Sequence, residues 1–562
     1  RDRSVSRGLG DVYKRQPYTV ESETMTRELF ETCLLLSKRL DKKYNKQTIA
    51  AKMTDVPGHT RSIIDPMYDA GIRLLHVGIN SACPLPSVPT FCRWRSSEGN
   101  DLLLVYQKDY GEDEVLPDGK TVVSINFTGD NHGPHSYERV KKIYADLRKR
   151  YPQAQLVGAS FNDVARELLL IKKDLPVVTS EIGDTWIFGY GGAPIRMAKF
   201  RAVSWLYSQW LNEGKIKKDS DVALDFAAEL GLIAEHTQGV DVKTHLRQWD
   251  KYDMDKFLKG RSEGVFSMAE ASWKEIDNYI DSAIAFLPAS LQKEAREVVA
   301  EVDQVKLEDN SKMKPMERKR WEQPIAGGMT LAGLSYQMFD GDDYDDFQNR
   351  YLRARYEWAL DDLGKRGLKE SHAVSVTLYA QTMAQSVRKE KKGTRIITEL
   401  RFPENEKVDK RVYPERIQVN CFTTKNGKRS EVALTVYGKP AVRLPESYWL
   451  SFTVPGIESV IAEKMGERVD LMDVVEKGNR QMHGIDRYVD LITSGETIRI
   501  SSKEAFLLNV GEAQGLNYST NYPDKRKGVH FNLNNNLWGT NFSMWNEGSL
   551  TYHFVIETLN HK

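Results

Sequence analysis

Four short polar segments carry the residues whose types and spacing could do chemistry. Three of them directly follow apolar, strand-like segments, and they centre on Asp55, Asp130 and Glu181. The fourth places His236 next to Glu235 in a more helical part of the chain. Carboxylates at strand ends can act as nucleophiles, general acids or metal ligands. An imidazole beside a carboxylate is a usual arrangement for a zinc ligand and the group that orients it.

Each of these candidates also has a purely structural interpretation. Asp55, in the segment TDVPGHT, is either a nucleophile or metal ligand or simply the cap of the next helix. Near Asp130, the pair His132 and His135 is a weak indication of metal binding, because three-residue spacing on a loop defines no ligand set. A single histidine such as His236 is equally compatible with an ordinary packed or exposed side chain. The residue types alone leave these alternatives open.

The segment from Glu181 to Trp186 has the composition of a sugar-binding site. Glu181 and Asp184 could hydrogen-bond hydroxyl groups, while the indole of Trp186 covers the apolar face of a sugar ring. The alternative is a turn beside a core tryptophan. The chain contains no GxGxxG, GxxxxGK[ST], HExxH or GxSxG motif, so nucleotide-binding, zincin and α/β-hydrolase chemistry lose their usual support. The residues favour metal-assisted hydrolysis of a polyhydroxylated substrate.

Strand-like and helical segments alternate before about residue 185 and predict an α/β layer or barrel. The predicted strands include 74–78, 122–127 and 177–179. A further short strand lies in TIAAKMTDVPGHT before its Pro-Gly turn, and QLVGASFNDVARELLLI repeats the pattern of a strand followed by a helix. In such a sheet, polar residues just after the strand ends line the ligand site. We therefore expect Asp55, Asp130 and Glu181 to meet at one edge of the sheet.

The pattern changes further along the chain. Helical periodicity dominates from about 194 to 307, and short strands separated by turn residues after 373 predict a C-terminal β-sandwich. The acidic segment FDGDDYDDF does not have the spacing of an EF-hand loop, so we interpret it as a helix N-terminus, where the helix dipole favours acids. We expect a β/α domain at 17–190, a mainly helical region at 191–370 and a β-sandwich region at 371–562.

Composition excludes several function classes. The 562 residues exceed what one core usually holds, and 80 Lys and Arg against 79 Asp and Glu give no electrostatic footprint for nucleic acid or a membrane surface. No apolar run is long enough for a transmembrane helix, and four cysteines without CxxC spacing do not make a disulfide scaffold. The compartment stays open, with the cytoplasm slightly favoured, and a homo-oligomer is compatible with the sequence.

The first sixteen residues, RDRSVSRGLGDVYKRQ, do not look like the start of a folded domain. They carry five Arg or Lys and no apolar central stretch of the kind a signal peptide requires. We expect residues 1–16 to be an artefact of the gene sequence, the alternative being a disordered basic arm. On this interpretation some native residues before Pro17 are missing.

Several longer motifs resemble the "domain of unknown function 5054" family. They are AKMTDVPGHT, FTGDNHGPHSYERVKKIYADLRKRYP, PVVTSEIGDTWIFG, EHTQGVDVKTHL, KMGERVD, VVEKGNRQMHG and GVHFNLNNNLWGTNFSMW. The resemblance runs from about Pro17 to the C-terminus. More remotely, the family is similar to the glycoside hydrolase family 38 α-mannosidases. That similarity implies a seven-stranded β/α barrel-like domain, here without its first strand, followed by a helical middle domain and a C-terminal β-sandwich.

The resemblance to the mannosidases implies roles for individual residues. TDVPGHT is similar to their D-P-F-G-H-S stretch, which makes Asp55 both zinc ligand and nucleophile. Asp130 falls in the stretch that holds the general acid, but Asn131 stands where the mannosidases have their acid/base aspartate. Glu181 resembles the Glu of their G-E-L stretch, and His236 is the best match to a late zinc-binding histidine.

The resemblance also implies a zinc site that is incomplete in this chain. The mannosidases begin with a His-x-Asp pair that supplies two zinc ligands, and residues 1–47 contain no such pair. The expected metal ligands are therefore Asp55 and His236 alone, and the expected catalytic carboxyls are Asp55 and Asp130. The expected substrate-binding residues are Glu181, Asp184, Trp186, His59 and Asn131.

Two functions from different classes follow from these residues. The first is a retaining, zinc-assisted, α-mannosidase-like glycosidase, which in this truncated form we expect to bind zinc weakly, to be inactive and to aggregate. The second is a non-hydrolytic carbohydrate-binding protein on the same scaffold. Asn131 favours the second function, because an amide cannot act as a general acid near neutral pH.

Overall fold

The structure is a computed structural model that describes residues 19–128 and 133–559. The expected artefact at 1–16 lies outside the described residues, as do Asp130, Asn131 and His132. The described chain has three parts in sequence order. A mixed α/β region comes first, a helical region follows, and two large antiparallel sheets form most of the rest.

The first part is built on a five-stranded sheet whose spatial order is β1-β2-β4-β3-β7. Its elements are α1 (Arg27–Tyr44), β1 (Ala50–Asp55), α2 (Ile64–Asp69), β2 (Leu74–Ile79), β3 (Phe91–Arg95), β4 (Asp101–Gln107), β5 (Asp113–Val115), β6 (Val122–Ser124), α3 (Tyr137–Arg150), α4 (Phe161–Leu170) and β7 (Val177–Val178). Strands β1, β2 and β4 run parallel, and β3 is antiparallel to β4. The three parallel strands therefore end at the same edge of the sheet.

Two of the strands predicted from the sequence do not lie in this sheet. The predicted strand at 122–127 is only β6, which pairs with β5 in a separate two-stranded sheet, and its residues are half-buried. Residues 155–160 form no strand and are mostly exposed. The five-stranded sheet instead contains β3 and β4, which were not predicted from the sequence. Strand β4 is an almost continuous apolar run. Among the described residues this sheet has five strands, and a seven-stranded barrel-like form stays a prediction.

Helix α1 shows why the first part folds against the helical region. Thr26 caps the helix by accepting a hydrogen bond from the Leu29 backbone N–H at 3.4 Å, and Asn45, in the left-handed conformation, ends it. Its buried face is apolar at helical spacing. Thr32 hydrogen-bonds Tyr207 at 2.8 Å, which ties α1 to the first long helix of the next part.

The helical region confirms the periodicity seen in the sequence. Its helices are α5 (Pro194–Asn212), α6 (Asp221–Leu230), α7 (Val242–His245), α8 (Met254–Ser262), α9 (Ser267–Ala285) and α10 (Ala289–Asp303). Two further helices, α11 (Gly341–Tyr351) and α12 (Glu357–Asp362), follow the strand at 330–338. The acidic segment is the start of α11, where the Asp340 carboxylate accepts from the backbone N–H groups of Asp342 and Asp343. The predicted helix N-terminus is therefore confirmed. In the part of the chain that the structure describes, no helix is both long and apolar enough to cross a membrane.

The remaining strands form two antiparallel sheets. One sheet holds seven strands with β11-β10-β16-β23-β22-β19 as its main path, and the other holds ten in the order β18-β17-β20-β21-β24-β15-β14-β13-β12-β8. The strands are β8 (Lys314–Pro315), β9 (Gln323–Pro324), β10 (Thr330–Met338), β11 (Val376–Tyr379), β12 (Gln381–Lys389), β13 (Gly393–Arg401), β14 (Arg416–Thr424), β15 (Arg429–Lys439), β16 (Glu446–Thr453), β17 (Ile457–Lys464), β18 (Glu467–Asp470), β19 (Met482–Gly484), β20 (Tyr488–Thr493), β21 (Thr497–Ser502), β22 (Leu507–Val510), β23 (Val529–Asn535) and β24 (Gly548–Leu559). Phe452 and Phe531 of the first sheet contact Phe554 of the second. Strand β10 lies in the region predicted as helical, so that region also contributes to the sheets.

Candidate functional site

Asp55 is the last residue of β1 and is held by groups that follow β2 and β4, the next two strands of the sheet. Asn80, directly after β2, donates from its side-chain amide to Asp55 Oδ1 at 2.9 Å. The Tyr110 hydroxyl, three residues after β4, donates to the same oxygen. The parallel order β1-β2-β4 brings these three residues to one edge of the sheet. The sheet thus presents one carboxylate with its orientation fixed by two donors.

The backbone of Asp55 is itself unusual. Its φ is 89°, in the left-handed region that residues other than glycine rarely adopt. Its carbonyl oxygen accepts from the Asn80 backbone N–H at 2.9 Å, so the same neighbour holds both backbone and side chain. A conformation of this kind costs on the order of 1–3 kcal/mol and is found most often at functional sites. Asp55 is therefore not a simple helix cap.

His236 contacts Asp55 from the helical region. Its Nε2 lies 3.3 Å from Asp55 Oδ2, and its Nδ1 lies 2.6 Å from a carboxylate oxygen of Glu235. The backbone N–H of His236 donates to the carbonyl of Thr19 at 3.2 Å. The imidazole is thus fixed between two carboxylates, and the segment after residue 19 lies against it.

The charges of this pair stabilise each other. Burial alone would raise the pKa of Asp55, but hydrogen bonds from His236, Tyr110 and Asn80 and the charge of His236 lower it below its usual range. Burial would lower the pKa of His236, but the negative charges of Glu235 and Asp55 raise it well above its usual value. Asp55 is consequently ionised at neutral pH.

Two buried carboxyls, Glu21 and Asp184, lie next to the pair formed by Asp55 and His236. Glu21 is fully buried, and neither of its carboxyl oxygens makes a hydrogen bond of normal geometry with a described residue. Burial, followed by the negative charges of Asp184, Glu23 and Asp55, raises the pKa of Glu21 well above its usual value. Burial also raises the pKa of Asp184, although the Trp186 backbone N–H donates to it at 2.9 Å. Burial and the neighbouring negative charges therefore make Glu21 hold a proton more tightly than an ordinary glutamate does.

Trp186 and His59 are placed around His236 but are themselves buried. The Trp186 ring stacks on His236, with centroids 6.3 Å apart and planes at 28°, and its indole N–H donates to Cys83 Sγ at 3.1 Å. His59 is 1% exposed and contacts Ser22 Oγ at 3.5 Å. Burial, and then the charge of His236, lowers the pKa of His59 to about 3, so this imidazole is neutral.

Glu181 is part of a buried ion-pair network rather than of the group around Asp55. Its carboxylate accepts from the Arg61 backbone N–H at 2.7 Å and from the Thr60 hydroxyl at 3.2 Å. The Lys464 ammonium of strand β17 lies 3.3 Å from Glu181 and 2.6 Å from Glu23. These contacts join the first part of the chain to the ten-stranded sheet.

The residues fit the predicted zinc site only in part. Asp55 and His236 are in direct contact, and Glu235 holds the other imidazole nitrogen, as expected of a metal-binding histidine and its orienting partner. Among residues 19–128 and 133–559, however, no group of three or more His, Cys, Asp or Glu side chains has the spacing to hold a metal ion. A catalytic zinc needs at least three protein ligands. The described residues therefore do not complete the site, and no step below depends on a metal.

This chain resembles a known family in sequence and two solved structures in fold. The family described as "Domain of unknown function (DUF5054)" matches residues 191–325. The family resemblance predicted from the sequence is confirmed. The sequence motifs suggested a longer match, from Pro17 onward, but the matched residues hold helices α5 to α10 and strands β8 and β9. No curated protein matches the chain.

Two solved structures share the fold. An α-mannosidase from Enterococcus faecalis V583 has a TM-score of 0.55 and 9% identity, and covers 97% of this chain and 78% of its own. A protein in the glycosyl hydrolase family 38 from Enterococcus faecalis has a TM-score of 0.50 and 10% identity, and covers 97% of this chain and 77% of its own. At such identities the likeness shows the fold: an α/β region, then helices, then large antiparallel sheets.

The structure brings together some of the predicted site residues and adds others. Asp55 and His236, far apart in sequence, are in contact, while Asp130 and Asn131 lie outside the described residues. Asn80 was not predicted as a site residue, although it comes two residues after the predicted strand 74–78 and the rule for polar residues at strand ends could have found it. Tyr110 was not predicted because β4 was not predicted, and no sequence pattern marked Glu21.

Proposed function

We propose that this chain is a glycoside hydrolase-like protein that cleaves an α-mannoside-like glycosidic bond with retention, and that Asp55 is its nucleophile. The observation that carries the proposal is the placement of Asp55. It is an ionised carboxylate in a strained backbone conformation, at the strand-end edge where sheets of this kind bind ligands. The fold shared with glycoside hydrolase family 38 supports the reaction class.

Each group around Asp55 has a role in this proposal. Asn80 and Tyr110 bind Oδ1 and fix the carboxylate, which leaves Oδ2, beside His236, to attack the anomeric carbon. His236, held by Glu235, positions Oδ2 and balances the charge of the carboxylate. The covalent glycosyl intermediate would then be hydrolysed by water, with the same carboxyl group released.

The proton for the leaving group must come from a second carboxyl. Asp130 is our proposal, because the resemblance places it in the general-acid stretch. Retention requires the two carboxyl groups to lie roughly 5–5.5 Å apart. Zinc, with Asp55 and His236 among its ligands, also stays a proposal; it would supply binding of sugar hydroxyls.

The test is hydrolysis of aryl α-mannosides by the full chain and by Asp55→Asn. We expect the variant to lose at least about 10³-fold in kcat, since the nucleophile is removed. Asp69→Asn, at the exposed end of α2, is the matched control and should keep the wild-type rate. Equal rates for Asp55→Asn and the wild type, with both folded, would remove Asp55 from the mechanism.

A second function, carbohydrate binding without cleavage, is favoured by Asn131, which stands where the mannosidases have an acid. Calorimetry with manno-oligosaccharides separates the two proposals. Heat of binding with unchanged oligosaccharide after prolonged incubation supports the second, and release of monosaccharide supports the first.

A further inference from the structure

We propose that a small cleft next to α12 binds a carboxylate or phosphate group. The cleft lies between the residues that follow α12 and the segment 539–544. Its wall includes Val242, Trp249, Tyr252, Lys365, Arg443 and Thr540. The cleft encloses about 350 Å³, including the part open to solvent. The proposal does not depend on glycosidase activity.

Arg443 is the first group that points to an anion. The side chain is 3% exposed, and its Nε has no hydrogen-bond partner among the described residues. Its one described hydrogen bond runs from Nη1 to the carbonyl of Trp249 at 3.2 Å. The guanidinium lies over the Tyr252 ring, 4.1 Å from the centroid, which fixes its plane. A buried guanidinium with an unused donor is costly unless an acceptor completes it.

Lys365 is the second cation of the cleft. Its ammonium donates to the carbonyl of Trp538 at 3.2 Å. Within the part of the chain that the structure describes, neither Lys365 nor Arg443 has a carboxylate within 4.0 Å. Burial, and then the charge of Arg443, lowers the pKa of Lys365 to about 7. Two cations close enough to repel each other, without a paired anion, are the arrangement that an oxyanion would stabilise.

The other charged groups of the wall are already accounted for. Arg366 pairs with Asp361 at 3.2 Å. Lys243, close to Val242, pairs with Asp362 at 2.8 Å. Asp250 acts on Arg443 only through its charge, at a distance beyond an ion pair. The unpaired positive charge in the cleft therefore belongs to Arg443 and Lys365.

The cleft adjoins the candidate site along the chain. The segment that carries His236 reaches the cleft wall at Val242, and the backbone N–H of Val242 donates to the Thr540 carbonyl at 3.1 Å. The charge of Asp55 is also among the causes that raise the pKa of Asp362. An acidic group on a carbohydrate ligand is therefore one source of the oxyanion, and a free small anion is the other.

The experiment is isothermal titration of the full chain with acetate, inorganic phosphate, glucuronate and mannose 6-phosphate, with glucose as the neutral comparison. We expect saturable binding of the anions and none of glucose. Acetate and phosphate binding as tightly as the sugar acids indicates a free anion as ligand, and tighter binding of a sugar acid indicates a carbohydrate. Absence of any saturable anion binding would overturn the proposal.

A lysine variant and a proton count make the assignment specific. Lys365→Met should weaken anion binding at least about tenfold, because it removes one charge-assisted hydrogen bond. Lys369→Met, whose exposed ammonium pairs with Asp345 instead, is the matched control and should change nothing. Titration of the unmodified chain at pH 7.5 in two buffers of different ionisation enthalpy should show proton uptake on anion binding. Equal weakening by both variants, or no proton uptake, would contradict the assignment.

Discussion

At the scale of single residues, the candidate site is defined by how Asp55 is held. Its carboxylate accepts from Asn80 and Tyr110 on one oxygen and contacts His236 with the other. The backbone of Asp55 has the left-handed conformation at the end of β1. Such a precise arrangement around one ionised group is typical of a reacting carboxylate.

The contribution of Tyr110 can be measured separately from that of Asp55. Tyr110→Phe removes one hydrogen bond to Asp55 Oδ1 and keeps the aromatic ring. The centroid of this ring lies 5.3 Å from the centroid of the Phe127 ring. We expect kcat/KM on aryl α-mannosides to fall about 10–100-fold, because the carboxylate loses one of its fixed donors. Tyr68→Phe, on α2, is the control. An unchanged kcat/KM in Tyr110→Phe would show that this donor does not orient the nucleophile.

A titrating residue of strand β17, Glu463, gives a prediction about stability. Burial, followed by the charge of Asp486, raises the pKa of Glu463 in the folded chain to about 7, from 4.5 for an ordinary glutamate. The folded state therefore holds this proton more tightly than the unfolded state, so the contribution of Glu463 to stability is lost as the pH rises from about 4.5 to 7.

Glu463→Gln should therefore stabilise the chain above pH 7, by on the order of 1 kcal/mol, and have little effect at pH 4.5. Urea unfolding at both pH values measures this difference. Glu458→Gln, at the exposed end of the same strand, is the control and should leave stability unchanged. The same effect of Glu463→Gln at both pH values would contradict the raised pKa.

At the scale of elements, the parallel strands position the site and a buried ion-pair network joins the parts of the chain. Lys464 of β17 lies 2.6 Å from Glu23 and 3.3 Å from Glu181, and all three are buried. Removing one member of a buried network leaves a charge without a partner.

Lys464→Met should accordingly destabilise the chain by about 3–5 kcal/mol, since two buried carboxylates lose their common cation. Lys407→Met, on an exposed loop, should cost no more than a few tenths of a kcal/mol. Chemical unfolding of both variants provides the measurement. A loss below about 1 kcal/mol in Lys464→Met would show that the network contributes little to joining the parts.

The elements also show what the sequence could predict. Helical periodicity predicted α5, α6, α9 and α10, because an amphipathic face repeats regularly. Strands β3 and β4 were missed, since short apolar runs have no distinctive period, and the half-buried β6 was assigned to the wrong sheet. The contact of Asp55 with His236 follows from tertiary packing alone. Only the family resemblance suggested that these two residues act together.

At the scale of the whole molecule, the fold is shared with an α-mannosidase and with a glycosyl hydrolase family 38 protein from Enterococcus faecalis, although sequence identity is 9–10%. Fold alone does not establish activity. Glycosidase activity therefore depends on whether the Asp55 carboxylate forms a bond to sugar. The metal question is separate, because the described residues supply two neighbouring candidate ligands and no group of three.

Metal content can be measured on the full chain. If Asp55 and His236 bind zinc, His236→Ala should reduce the zinc retained after gel filtration by at least about 10-fold relative to the unmodified chain. His372→Ala, whose side chain is 91% exposed, is the matched control. Equal zinc in all three samples would remove His236 from the ligand set.

Trapping the covalent intermediate shows whether Asp55 is the nucleophile. The full chain is incubated with a 2-deoxy-2-fluoro mannosyl donor that carries a good leaving group, digested, and analysed by mass spectrometry. We expect a mass increase of one fluorosugar on the peptide that contains Asp55, and no such increase in Asp55→Asn. Labelling of a different carboxylate, or release of the leaving group with no labelled peptide and inverted product, would contradict Asp55 as the nucleophile.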